Sequence, residues 1–208
     1  MIEIVTFTKT LNATEAGMTN TNDSYILIPQ SIDGCLLFPH NGIYHIRDYV
    51  SGEDFKFRFE NSREQRVYKL GQYCRMNNVQ CGDIITIERR IINQDSRLFI
   101  NSRRKKNIVF LQKHKDGYLI IRNDIGQKVL NNEVLFSVNG KNRPITIVFD
   151  RNIKKRSDSP DELPLYSVTV DNGINLQDLI KAQYLELNYS DMAIRIPDEV
   201  KLEITKQQ

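Results

Sequence analysis

Apolar and charged residues alternate most strictly in Phe55-Lys56-Phe57-Arg58-Phe59-Glu60, which predicts a strand with three phenylalanines on its core face and the charges on the other. Shorter runs of the same kind predict strands over 2–8, 25–28, 84–89, 97–101, 109–112, 118–122, 134–138, 145–149, 165–170, 192–196 and 200–204. Asp116-Gly117 and Asn139-Gly140 punctuate two of the gaps as hairpin turns. Helical spacing appears twice. Residues 70–79 predict a short helix with Tyr73, Cys74 and Met76 turned inward, and 176–187 predict a longer one, capped by Asn175, with Leu176, Leu179, Ile180 and Tyr184 on one face. Residues 30–53, broken by Pro39, Gly34, Gly42 and Gly52, read as irregular, and the charged stretch 150–164 reads as a mobile loop. The sum is a mainly β chain with short helices: a barrel or sandwich-like module followed by a second β-rich unit with one helix. The basic run within Ser102–Asn107 marks the boundary, giving 1–107 and 108–208.

Two connections in the first half are polar beyond the needs of a turn. Between the strands 2–8 and 25–28 lie Thr10, Asn12, Thr14, Thr19, Asn20, Thr21, Asn22, Asp23 and Ser24, with Gly17 as a turn point. Connections of this length are usually either functional or disordered. Asn, Thr and Ser can read base edges and Lys9 can hold a phosphate, while on residue content alone the segment reads as a solvated loop. Asn61-Ser62-Arg63-Glu64-Gln65-Arg66 forms the second polar arm.

Composition narrows the class without deciding it. The 208 residues are 40% hydrophobic and 26% charged, enough to bury a core. No apolar run approaches the roughly 20 residues of a membrane span, and the N-terminus has no leader-like pattern, so a cytoplasmic protein with no membrane partner is expected. Cys35, Cys74 and Cys81 fit no zinc spacing and are expected to be reduced. The net charge of +3 is uneven: 1–107 hold 15 basic against 12 acidic residues, and 108–208 hold 14 of each. No glycine-rich phosphate loop, nucleophile elbow or zinc-type His-Glu pair is present. A magnesium nuclease centre needs clustered carboxylates and a lysine. Pro160-Asp161 with Glu199-Val200-Lys201 matches that need only weakly. The expectation is therefore no catalytic, metal or cofactor residue in this chain, with Mg²⁺ entering only with a nuclease domain. A complete Mg²⁺-dependent nuclease with a degenerate acidic centre in 108–208 is the alternative.

The run from Phe7 to Thr19, then Tyr25-Ile26-Leu27-Ile28-Pro29, Phe38-Pro39, the arm 61–68 and Gly82-Asp83 resembles the N-terminal recognition domain of EcoRII-type restriction endonucleases, itself similar to the plant B-three DNA-binding pseudobarrel. The resemblance covers roughly 1–107. It implies a DNA-recognition pseudobarrel whose two arms enter the major groove of double-stranded DNA, as the target-recognition module of a type II restriction endonuclease. By position Lys9, Asn12, Thr14, Glu15, Thr19, Asn20 and Asn22 line the first arm, and Ser62, Arg63, Glu64, Arg66 and Lys69 the second. Chemically, Arg63 or Arg66 suits guanine O6 and N7, and Glu15 or Glu64 suits cytosine N4. Arg103, Arg104, Lys105 and Lys106 suit phosphates. Arg63-Glu64 also reads as an ordinary exposed ion pair. The first arm departs from the family pattern at Met18–Ser24, so no target sequence carries over. The role of 108–208 stays open between bracing the recognition domain, touching DNA through Lys154, Lys155 and Arg156, and docking a nuclease domain or subunit.

Overall fold

The computed structural model describes residues 1–17, 24–93, 95–154, 160–197 and 200–207. Its elements in chain order are β1 (Ile2–Thr10), β2 (Tyr25–Ile28), a 3-10 turn (Gly34–Leu36), β3 (Gly42–Asp48), β4 (Asp54–Asn61), β5 (Gln65–Tyr68), α1 (Gly71–Met76), β6 (Ile84–Ile92) and β7 (Asp95–Arg103). There follow β8 (Ile108–His114), β9 (Gly117–Asn123), a 3-10 turn (Gly126–Val129), β10 (Glu133–Val138), β11 (Lys141–Lys154), β12 (Glu162–Val170), β13 (Ile174–Asn175), α2 (Leu176–Leu179), β14 (Tyr184–Asn188), β15 (Ala193–Arg195) and β16 (Val200–Gln207). The fold is mainly β with two short helices, as the alternation predicts. No helix among the described residues is long and apolar enough to cross a membrane.

The chain divides into two units, Met1–Lys105 with Asp198–Gln208, and Lys106–Pro197. The first is one sheet in the order β16-β1-β6-β7-β3-β4-β5-β2, antiparallel except where β3 meets β7. The β4 alternation does what it predicts: Phe55, Phe57 and Phe59 are buried, and Lys56 and Arg58 are exposed. Val5, Phe7, Ile26, Ile28, Val67, Tyr73, Ile85, Ile87 and Ile100 are among the residues that join them in the core. Burial pushes the Tyr73 phenol up to about 12 and the Cys74 thiol up to about 11, so both stay neutral in the core at ordinary pH.

The sheet curls until its two sides meet at a seam. Edge strand β2 would leave the N–H and C=O of Leu27 without a partner. Instead Glu15 Oε1 accepts from Leu27 N at 3.1 Å, and Lys9 Nζ of β1 donates to Leu27 O at 2.7 Å and to Glu15. Two side chains thus stand in for the missing ladder and close a pseudobarrel.

The second unit closes by strand pairing. Its order is β11-β10-β15-β14-β8-β9-β12-β13, and β11 pairs again with β12, so seven strands form a ring with β13 outside it. Ring closure removes free edges. Asn139 and Gly140, both at positive φ, make the tight turn between β10 and β11. The β8–β9 hairpin passes close to β12: a Cβ on Gly117 would lie 2.6 Å from the Tyr166 carbonyl. Gly117→Ala is expected to destabilise the protein by about 1–3 kcal/mol in urea denaturation.

Several expectations are corrected. The helix over 176–187 is one turn, Leu176–Leu179, capped as expected by the Asn175 side chain on Gln177 N at 2.9 Å. Tyr184–Asn188 is instead strand β14, paired with β8. Residues 42–48 are strand β3 rather than irregular. Of the 150–164 stretch, 150–154 lie in β11 and 162–164 in β12, whose pairing runs out to Lys154 and Glu162 past a bulge at Phe149/Arg151, while 155–159 lie outside the described residues. Met76 is exposed, not inward. The chain end does not stay with 108–208, because β16 pairs with β1 along its length, from Ile2 opposite Gln207 to Lys9 opposite Val200.

Candidate nucleic-acid interface

Because Phe55, Phe57 and Phe59 point inward, the alternate residues of β4 point out, and register fixes their neighbours. Ile43 of β3, Arg58 of β4, Tyr68 of β5 and Tyr25 of β2 stand opposite one another in a row across four strands. Glu60, Arg66 and Leu27 form the next row on one side, and His45 with Lys56, then Arg47 with Asp54, lie on the other. The Tyr25 and Tyr68 rings are 5.9 Å apart, and the Arg66 guanidinium sits 4.6 Å over Tyr25. The outer face of β3-β4-β5-β2 is therefore basic with aromatic rings between the charges.

With the hairpin Ser62–Glu64 and Lys69 included, the face carries Arg47, Lys56, Arg58, Arg63, Arg66 and Lys69 against Asp54, Glu60 and Glu64. Each carboxylate is taken by one arginine: Asp54 by Arg47 at 3.0 Å, Glu60 by Arg58, and Glu64 by Arg66 Nε at 2.7 Å. These contacts raise the Arg47 and Arg66 pKa values, chiefly through the hydrogen bonds they donate to Asp54 and Glu64, and lower that of Asp54. Such exposed pairs are weak, and a phosphate can replace the carboxylate at little cost. Among the described residues Lys56, Arg63 and Lys69 have no acidic partner.

The two arms meet this face at opposite ends of one short ladder. β2 and β5 pair from Tyr25 with Tyr68 to Ile28 with Gln65. The first arm enters at Tyr25, where Leu70 N donates to Ser24 O. The second arm is a tight hairpin, Ser62–Glu64, at the Gln65 end, held by Gln30 Nε2 on Arg63 O at 2.9 Å. Three steps along a strand separate them, roughly 10 Å.

The described part of the first arm has a different job from the one expected. Asn12 Oδ1 accepts from Glu15 N at 2.9 Å, while Glu15 Oε2 accepts from Asn12 N at 3.2 Å. This reciprocal pair is a capping box on one helical turn, ended by Gly17 at φ +73°. Glu15 is 1% exposed and occupied by Lys9 and Leu27, so it is corrected from a base reader to the clasp of the seam. Lys9, with its side chain 11% exposed, is likewise removed from the phosphate contacts. Asn12 and Thr14 are half-buried, and Asn12 holds the turn. Thr19, Asn20 and Asn22 lie outside the described residues. Lys69 sits at positive φ beyond Tyr68, at the first arm's end of β5 rather than on the second arm. Glu64 faces Arg66 and orients it.

The basic run starts beside the root of the first arm. Thr10, Ile84 and Arg103 share a row, and Asp83 binds Lys105 N at 2.9 Å and Leu11 N through its carbonyl. Arg103, Arg104 and Lys106 are exposed and Lys105 is half-buried. Of the alternative acidic centre, Asp161 belongs to the second unit and Lys201 to β16 of the first, while Glu199 lies outside the described residues. No group of three or more His, Cys, Asp and Glu among the described residues is arranged to hold a metal ion. Lys154 ends β11, and Lys155 and Arg156 lie outside the described residues.

Sequence reasoning missed Lys56, Arg58, Tyr25 and Tyr68 as surface chemistry. The signal for Lys56 and Arg58 is present in the charged half of the β4 alternation.

No family model matches the chain, and no curated protein matches it. Among solved structures, it is similar to the Arabidopsis FUS3–DNA complex, at 15% identity and a TM-score of 0.38, over 48% of this chain and 96% of that one.

Proposed function

We propose that the N-terminal unit binds double-stranded DNA sequence-specifically, laying the outer face of β4-β5-β2 along the major groove with one arm at each side. The observation that carries this reading is the basic, tyrosine-bearing strip whose β2–β5 ladder joins one polar segment at each end, the two junctions lying roughly 10 Å apart, close to the ~12 Å width of that groove. Arg63 reads bases, since it stands at the hairpin tip with no acidic partner among the described residues. Lys56, Arg58 and Lys69 hold phosphates and set register. The EcoRII-type resemblance supplies the biological setting, target recognition within a restriction system, with cleavage provided by a nuclease domain or subunit.

The test is selection from a random duplex pool at two salt concentrations. One short site is expected to be enriched, with retention falling steeply as salt rises. Arg63→Ala should relax the preference at one position of that site by about 1–3 kcal/mol. Absence of any retained duplex at low salt would end the proposal.

A further inference from the structure

We infer that the cleft between β3 and β7 of the N-terminal unit is a binding site for a nucleoside monophosphate. It stands on that cleft alone and does not depend on the duplex reading.

The cleft exists because the parallel seam is short. β3 and β7 pair only over Ile46–Asp48 with Leu98–Ile100. Before those residues the two strands part, each held by its other neighbour, β4 or β6. The gap is an open cleft of about 510 Å³ lined by residues including Tyr44, Arg47, Arg89, Arg97, Leu98 and Phe99. That volume lies within the range of small-molecule sites and far exceeds the need of a lone oxyanion.

Its chemistry is that of an anion carried on a flat apolar body. Three guanidiniums and His45 face one carboxylate, Asp54, and Arg47 already holds that carboxylate through two 3.0 Å contacts. Among the described residues Arg89 and Arg97 have no acidic partner. Arg89 is fixed by donating to Leu36 O at 3.1 Å, yet its Nε is buried with no acceptor. Arginine pairs suit phosphate because the planar fork gives two parallel bonds.

The apolar walls are preorganised. Tyr44 Oη donates to His40 O at 2.7 Å and accepts from His40 N at 3.1 Å, and its ring packs edge-on against Phe38 at 5.0 Å. Phe99 is held beneath the Arg90 guanidinium at 4.7 Å. Fixed aromatic surfaces beside unpaired arginines favour a planar heterocycle bearing a phosphate. The same chemistry is offered by a free nucleotide or by the phosphorylated end of a strand.

The test is calorimetric titration of the full chain with nucleoside 5′-monophosphates, the parent nucleosides and inorganic phosphate. At least one 5′-monophosphate is expected to bind about tenfold or more tighter than both its nucleoside and phosphate, and Arg97→Ala and Arg89→Gln are each expected to remove about tenfold. Arg97 is exposed, so its variant reports even if the Arg89 variant misfolds. Competition by a 5′-phosphorylated oligonucleotide, but not by its unphosphorylated twin, identifies a strand end as the source; failure of both to compete identifies the free nucleotide. Phosphate binding as tightly as the nucleotide, a nucleoside doing so, no saturable binding, or binding unchanged in Arg97→Ala would each overturn the assignment.

Discussion

Replacing Glu15 by Ala is expected to cost the protein about 3–5 kcal/mol, the usual penalty for stripping one member from a buried ion pair. Three groups lose a partner at once: Leu27 N–H and Asn12 N–H lose their acceptor, and the Lys9 ammonium loses its counter-ion and keeps Leu27 O. For a domain near this size the loss corresponds to a fall in Tm on the order of 15 °C. The double variant Lys9→Met with Glu15→Leu separates two accounts. Where a pair contributes only charge, an apolar replacement of similar volume is often neutral. Here both side chains also serve the main chain of an edge strand, so the double variant is expected to stay destabilised. Glu15→Gln, which keeps an acceptor oxygen, should fall between parent and Ala. Hydrogen exchange supplies a local readout: the Leu27 amide, protected in the parent, should exchange readily in Glu15→Ala. A loss under about 1 kcal/mol with Leu27 still protected would mean the seam closes by some other contact.

The seam also shows what the chain discloses by itself. Asn12-Ala13-Thr14-Glu15 followed by Gly17 has capping-box spacing, with both partners local in sequence, although the polar content of the arm led to a base-reading expectation instead. That the same carboxylate meets Lys9 and Leu27 is set by the curl of an eight-stranded sheet, which no local pattern encodes. The β4 alternation was legible for a related reason: one buried and one solvated face impose period two directly. Where that condition fails, so does the reading. The outer part of β11, from Asp150 to Asn152, is exposed on both sides and gives no period, so it reads as a loop. From α2 into the start of β14 the spacing of Leu176, Leu179, Ile180 and Tyr184 mimics a longer helix face. Pairing of Leu185 and Leu187 with β8 decides for strand, and it brings Glu186 to full burial. β3 hid because Ile43 points outward while Asp48 points inward, where it binds the turn amides of Val50 and Ser51. The arms themselves were legible as polar excess. The strip between them was not, since it needs the register of four strands.

The double variant Lys56→Ala with Arg58→Ala is expected to weaken duplex DNA binding on the order of 50-fold at 0.1 M salt, and to reduce the slope of log affinity against log salt by about 2. The estimate treats each side chain as one phosphate contact. Arg58 gives up Glu60 on binding, a trade of one weak exposed pair for another anion. The loss should be nearly uniform over sequences, since these residues stand on a strand face and not at a hairpin tip. Arg63→Ala should do the reverse, altering preference more than slope. Stability is a clean control, because both side chains point away from the core that Phe55, Phe57 and Phe59 fill, and exposed substitutions of this kind usually move stability by no more than about 0.5 kcal/mol. An unchanged Tm with an unchanged salt slope would take DNA off this face altogether. A reduced slope together with a retained site preference would place the backbone on β4 and the bases at the arms, which is the division of labour the four-strand register supports.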